Sequence, residues 1–161
     1  QAKIKEPFQY VLISNGSLMH QSEVQAGLKL FKQHQGQVWF KLDSGTEQGK
    51  NAINHAAISV PRQIDNLITS ASLCETWLQT CMLNYADNEN VGLVSAAEQE
   101  AYLTIISQVM QHSTLRGVML YSLARPSLQA EAAHISKVSE QQINAFAERI
   151  RGLGLEVSIS L

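Results

Sequence analysis

Residues Tyr10–Leu42 read YVLISNGSLMHQSEVQAGLKLFKQHQGQVWFKL, and the order of signals in this stretch decides the fold class. It opens on a compact apolar run with β-branched members, Tyr10–Ser14, closed by the turn signal Asn15-Gly16. Ser22 then starts a helix, because its hydroxyl can cap free backbone N–H groups and Gln25, three residues on, completes a capping box. Val24, Leu28 and Phe31 fall on one helical face, and Gly36 follows as a stop. Val38–Leu42 is a second apolar run ending at Asp43-Ser44-Gly45. Strand, helix and strand at this spacing spell a βαβ unit with parallel strands.

The same alternation continues along the chain. A polar stretch rich in Gly, Asn and Gln runs to about Ser59, and Pro61 can start a helix with Ile64, Leu67, Ile68 and Ala71 inward. Trp77–Leu83 reads as the third strand, with Asp87–Asn90 as a solvated loop. Ser95 and Glu98 spell a second capping box, and Tyr102, Ile105, Ile106, Val109 and Met110 carry that helix to about His112. Val118–Leu123 is the fourth strand, closed by Arg125-Pro126. Ser139 and Gln142 form a third box before the stripe Ile143, Phe146, Ala147 and Ile150, and Val157–Ile159 is a short last strand. Gly152-Leu153-Gly154 follows a helix rather than a strand, so it is a helix stop and not a dinucleotide fingerprint.

The expectation is one α/β domain over residues 1–161, about five strands interleaved with four helices in a parallel sheet. A doubly wound sheet and a partial TIM-like (β/α) barrel give the same string of elements. Hydrophobic residues make up 45% of the chain and charged residues 16%, which excludes a disordered protein. A net charge of −2, with 12 Lys and Arg never forming a run, argues against a nucleic-acid binder. No apolar run is long enough to span a bilayer and no signal peptide is evident, so a cytoplasmic protein without a membrane partner is expected. The chain opens on Gln1 rather than Met, which suggests a processed, engineered or partial chain.

Ligands of parallel α/β folds gather at the carboxyl ends of the strands, which directs attention to Asn15, Lys41, Asp43, Asn84-Tyr85 and Arg125. Lys41 and Asp43 stand two apart on a strand and share a face. Charges there either meet a ligand or neutralise each other as a buried pair. Arg125 can clamp a carboxylate or phosphate, or bridge strand ends. The five histidines have no zinc-ligand spacing, and neither a G-x-S-x-G elbow nor a Walker sequence is present. Of the two cysteines, Cys81 reads as a core residue within a strand and Cys74 as inert near a helix end. An extended chain would hold them roughly 20 Å apart, too far to bridge.

Four strand-end segments in order, VLISNGS (Val11–Ser17), VWFKLDSG (Val38–Gly45), WLQTCML (Trp77–Leu83) and GVMLYSLARPS (Gly117–Ser127), resemble the later strands of radical S-adenosylmethionine domains. The closest likeness is to an iron–sulfur oxidoreductase-like branch, whose ending AERIRGLGLEVSIS (Ala147–Ser160) also resembles. The resemblance covers essentially the whole chain. It implies a partial (β/α) barrel, here its carboxy-terminal portion, working with S-adenosylmethionine and a 4Fe–4S cluster in the intact protein. The family's Cys-x3-Cys-x2-Cys loop and Gly-Gly-Glu-like element are missing, and Cys74 and Cys81 cannot replace three closely spaced thiolates. Neither cofactor is therefore expected to be held by this chain alone.

By position, the resemblance places Asn15 near the cofactor and Lys41 and Asp43 against its carboxylate and ribose. Strand alternation adds Gln79 and Tyr121 to the wall of the cavity, and the resemblance puts Arg125 at the end facing an unidentified small-molecule or macromolecular substrate. The alternatives are a cluster-free binding or scaffold domain, and an unrelated α/β enzyme using Lys41 and Asp43 for acid–base work. A partial barrel would leave the YVLIS edge unpaired, so a homo-oligomer formed through that edge is expected.

Overall fold

A computed structural model describes residues 8–54, 58–86, 91–123 and 130–161. Along the chain run β1 (Val11–Ser14), α1 (Ser22–Gln33), β2 (Gln37–Lys41), α2 (Glu47–Asn54), α3 (Val60–Leu73) and β3 (Glu75–Cys81). They are followed by β4 (Leu83–Tyr85), α4 (Ala96–Met110), β5 (Gly117–Tyr121), β6 (Ile135–Lys137), α5 (Glu140–Arg151) and β7 (Glu156–Ser160). Five strands form one parallel sheet in the order β1-β2-β3-β5-β7, and β4 pairs antiparallel with β6 beside it.

The five expected strands all appear, with their ends moved by one or two residues. The third stops at Cys81, and Leu83 belongs to β4 instead. A fifth helix, α2, occupies the polar stretch after Gly45 that shows no apolar stripe. The Asp87–Asn90 loop and the Arg125-Pro126 closure lie outside the described residues.

Because the strands follow one another in chain order, right-handed crossovers place every helix on the same side of the sheet. A doubly wound sheet would reverse its order midway and cover both faces. Burial agrees with one-sided cover. Val38, Phe40, Leu78, Val118 and Leu120 are buried with Leu28, Leu67, Ile105, Ile106, Phe146 and Ile150 of the helices. Their alternates Trp39, Lys41, Trp77, Gln79, Met119 and Tyr121 point the other way and are half-buried. This arrangement is α/β with βα repeats, wound as the wall of a barrel is wound.

Local chemistry sets the ends of the elements. The Asn15-Gly16 turn forms, with the Asn15 Oδ1 accepting from the Ser17 N–H at 3.1 Å and Gly16 at φ 74°. A Cβ on Gly16 would lie 2.1 Å from the Phe40 ring, so the turn closes directly over the core. Of the three expected capping boxes, only Ser139–Gln142 forms in full. Gln21 rather than Ser22 stands at the N-terminal cap position of α1, and neither it nor Ser95 at the start of α4 makes a side-chain capping bond. Ser59 caps α3 through the Arg62 N–H, with Val60 ahead of Pro61 in the first turn. Gly152 ends α5, and Gly154 turns the chain at φ 85°.

Two hydroxyls brace the buried face. Tyr102 of α4 is fully buried, its ring 5.4 Å from that of Phe146 and its hydroxyl 2.7 Å from Thr80 Oγ1. Ser70 and Thr76 pair at 2.9 Å where α3 turns into β3. Tyr102→Phe strips Thr80 of its buried partner and should destabilise the protein by about 1–3 kcal/mol. Urea unfolding reads this as a lower midpoint at constant slope, and an unmoved midpoint would show that the pair contributes nothing.

Candidate functional site

The uncovered face of the sheet carries Gln37, Glu75 and Glu156 at the amino ends of its strands and a second set of polar groups at the carboxyl ends. Pairing register aligns Lys41, Gln79, Met119 and Ser158 in one row, and Cys81, Tyr121 and Ser160 in the next, at the carboxyl ends of the strands. Below them lie Ile13, Trp39, Trp77 and Gly117. Polar groups thus stand at the mouth of this face and large apolar side chains beneath them.

Lys41 and Tyr121 flank β3 and reach across it, over two strand spacings or about 9.6 Å. The Lys41 Nζ donates to the Tyr121 hydroxyl at 3.1 Å and lies 3.5 Å from Asp43 Oδ2. Asp43 is 4% exposed at its side chain, against 33% for Lys41. Its Oδ1 accepts from the Cys81 backbone N–H at 2.9 Å and its Oδ2 from Asn54 Nδ2 at 3.0 Å. Three protein donors therefore share a carboxylate with about four lone-pair sites. Asp43 is committed to its neighbours, and Lys41 is the member that still meets solvent.

Electrostatics follow this geometry. Burial pulls the Lys41 ammonium down, and Asp43 and the Tyr121 hydroxyl together outweigh it, leaving it above 10.5. Burial raises the Tyr121 phenol against the pull of Lys41. Burial, with the Asp43 carboxylate adding to it, pushes the Cys81 thiol up to about 11. The resting cluster is an ammonium, a carboxylate, a neutral phenol and a neutral thiol. It can hold an anion at Lys41 and a hydrogen-bonding group at Tyr121, but it offers no thiolate nucleophile at neutral pH.

Of the eight residues singled out from sequence, the structure gathers Lys41, Asp43, Gln79 and Tyr121 here, while Asn84 and Tyr85 lie in β4, paired with β6. Asn15 stays outside the cluster, exposed at the end of β1 with its side chain turned onto Ser17. Arg125 lies outside the described residues. Cys81 is not a core residue but a half-buried member of the site, as its two-residue spacing from Gln79 on one strand would signal. Asn54 gives no sequence signal, since it ends a helix without an apolar stripe. Cys74 is buried at the other end of β3, where its Sγ donates to the Gly36 carbonyl.

A cavity of about 600 Å³ opens at the amino ends of the strands. Its charged lining is Lys32, Glu75 and the Arg116–Glu156 pair, which closes on itself at 2.8 Å with both members half exposed. The cluster around Lys41 lies at the opposite ends of the strands. Among the described residues no group of three His, Cys, Asp or Glu could hold a metal ion, and no helix is long and apolar enough to cross a membrane.

The raised Cys81 thiol makes a pH prediction. The unfolded chain gives up this proton near pH 9.0, whereas the folded state keeps it to about 11. Below pH 9 the contribution is whole, and between these values it is lost at about 1.4 kcal/mol per pH unit as pH rises. Urea unfolding from pH 8 to 11 should show a steeper decline for the parent protein than for Cys81→Ala. Parallel profiles would refute the assignment. Among known proteins, no family model and no curated protein matches the chain.

Proposed function

We propose that this chain is the carboxy-terminal part of a radical S-adenosylmethionine enzyme of the iron–sulfur oxidoreductase-like branch. The observation that carries the reading is the convergence of Lys41, Asp43, Gln79 and Tyr121 at the carboxyl ends of a sequentially wound parallel sheet, on the face its helices leave uncovered. A barrel-type fold binds ligands at that end.

The residues present fit the two cofactors unequally. The chain's two cysteines sit at opposite ends of β3, so they do not fit an iron–sulfur cluster and no step is drawn through one. Lys41, Tyr121 and Asp43 do fit the amino-acid end of S-adenosylmethionine. Lys41 offers an ammonium to its carboxylate, and Tyr121 a hydroxyl beside it. Asp43 holds Lys41 in place and keeps one remaining acceptor site for a hydroxyl or amino donor. In the intact enzyme the cofactor, reductively cleaved, supplies the means of hydrogen abstraction from an unidentified substrate. Gln79, Tyr121 and Arg125 are the proposed substrate-side residues.

A second reading, a binding domain without catalysis, draws on Asp43 itself. Its ion pair with Lys41 closes within the protein, as a structural pair does. The product of the complete reading frame separates the two. Purified without oxygen, it should be heavier than this chain and carry about four irons per molecule. In that product Lys41→Ala should weaken S-adenosylmethionine binding tenfold or more. A product of this same mass without iron leaves the binding domain as the surviving account.

This reading places the protein in the cytoplasm, in keeping with free thiols at Cys74 and Cys81. It also assigns a second copy of the chain to the outer edge of β1, where Val11, Leu12 and Ile13 are exposed and the strand itself carries no charge. An apolar groove lined by Val24, Gly27, Leu28 and Phe31 runs beside that edge. Sedimentation at rising concentration should show a dimer or larger assembly that Ile13→Lys dissociates. A concentration-independent monomer overturns the assignment.

A further inference from the structure

Glu98 stands at the third position of α4, where a capping box would return its carboxylate to the Ser95 backbone. Instead it is 2% exposed and turned onto another segment. Its Oε2 accepts from the Ser44 hydroxyl at 2.8 Å and from the Gly45 N–H at 3.0 Å, and its Oε1 accepts from the Thr46 hydroxyl. Thr46 Oγ1 in turn accepts from the Gly49 N–H at 2.9 Å, in the first turn of α2. No described lysine or arginine forms an ion pair with Glu98. A carboxylate this deeply buried is held by hydrogen-bond donors alone, an arrangement that leaves little tolerance for losing one.

Two glycines make the approach sterically feasible. A Cβ on Gly45 would stand 2.3 Å from the Tyr102 backbone nitrogen. A Cβ on Gly49 would stand 2.2 Å from Ser44 Oγ and 2.3 Å from Glu98 Oε1. The segment gripped in this way begins one residue after Asp43, and α2 ends at Asn54, which donates to Asp43 Oδ2. Asp43 is therefore tied to the same carboxylate twice, through its chain neighbour Ser44 and through the length of α2.

We infer that Glu98 is a positioning residue: by clamping Ser44–Thr46 it fixes Asp43 against the Cys81 N–H and the Lys41 ammonium. The inference rests on the reading of Lys41 and Asp43 as the ligand-facing site, and it gives α4, which contributes no residue to that site, control over its geometry. The Ser95 N–H, which a capping box would give to this carboxylate, donates instead to the Gly92 carbonyl at 3.1 Å.

Amide hydrogen exchange on this chain tests the coupling without a ligand. In Glu98→Gln, one carboxylate oxygen becomes an amide NH2 that cannot accept, so the donors of Ser44, Gly45 and Thr46 are left with a single acceptor oxygen between them. The Cys81 N–H should then exchange at least tenfold faster because Asp43 is no longer held beneath it. The Ile143 and Phe146 amides of α5 should keep their protection, separating a local release from general destabilisation. A Lys41 titration that falls relative to the parent is a further readout that a purely structural role for Glu98 would not move. Faster exchange at Gly45 with an unchanged Cys81 overturns the inference. Should Glu98→Gln fail to fold, Ser44→Ala removes one donor and decides by the same amide: a smaller acceleration at Cys81 supports the clamp and none refutes it. In the product of the complete reading frame, Glu98→Gln should also weaken S-adenosylmethionine binding. If the parent product does not bind S-adenosylmethionine, the reading of the site fails while the exchange result stands on its own.

Discussion

A parallel sheet whose strands follow in chain order can cover only one of its faces with its own crossovers, and everything else in this protein answers to that constraint. On the covered face the strands carry Val38, Phe40, Leu78, Val118 and Leu120, and the helices close over them. On the other face the same strands carry Trp39, Lys41, Trp77, Gln79, Met119 and Tyr121. Side-chain alternation with period two assigns each residue to one role or the other, so packing and chemistry are interleaved along every strand.

The polar cluster shows how such a face can hold charge. A lysine on an open sheet face would ordinarily be solvated and mobile. Here Asp43 is anchored by a backbone amide and a side-chain amide, and Lys41 is anchored by Asp43 and Tyr121. Each group restricts the next, which is the preorganisation a binding site requires. Glu98 extends the chain of restraint from the mouth of the sheet to the helix layer behind it.

Much of this was legible in the residues. Strands with dense apolar runs, such as YVLIS and VWFKL, declare themselves, and Lys41 with Asp43 declares a shared face. The helix α2 does not, because its inward positions are Gly49 and Lys50 rather than an apolar stripe. Those identities follow from contacts distant in sequence: Gly49 makes room for Glu98, and Lys50 reaches the Ile58 carbonyl. Ser95 and Glu98 spell a capping box in letters, yet a tertiary partner competes for the carboxylate and wins. The strands β4 and β6 are three residues each, too short for any periodic signal. Local pattern therefore yields the layers, while the residues that lock the site are chosen by neighbours the pattern cannot see.

The chain has two tryptophans, Trp39 and Trp77, and both stand side by side on the uncovered face. Trp39 keeps its indole nitrogen out of solvent without a hydrogen-bond acceptor, and Trp77 lies under the Arg116 guanidinium at 5.4 Å. The protein's tryptophan emission therefore arises from this face alone, and the helix layer is silent at that wavelength. Whatever comes to cover the face, whether ligand, further strands or another molecule, must change the surroundings of both indoles at once. Tryptophan emission is thus a reporter of the uncovered face, read without interference from the helix layer.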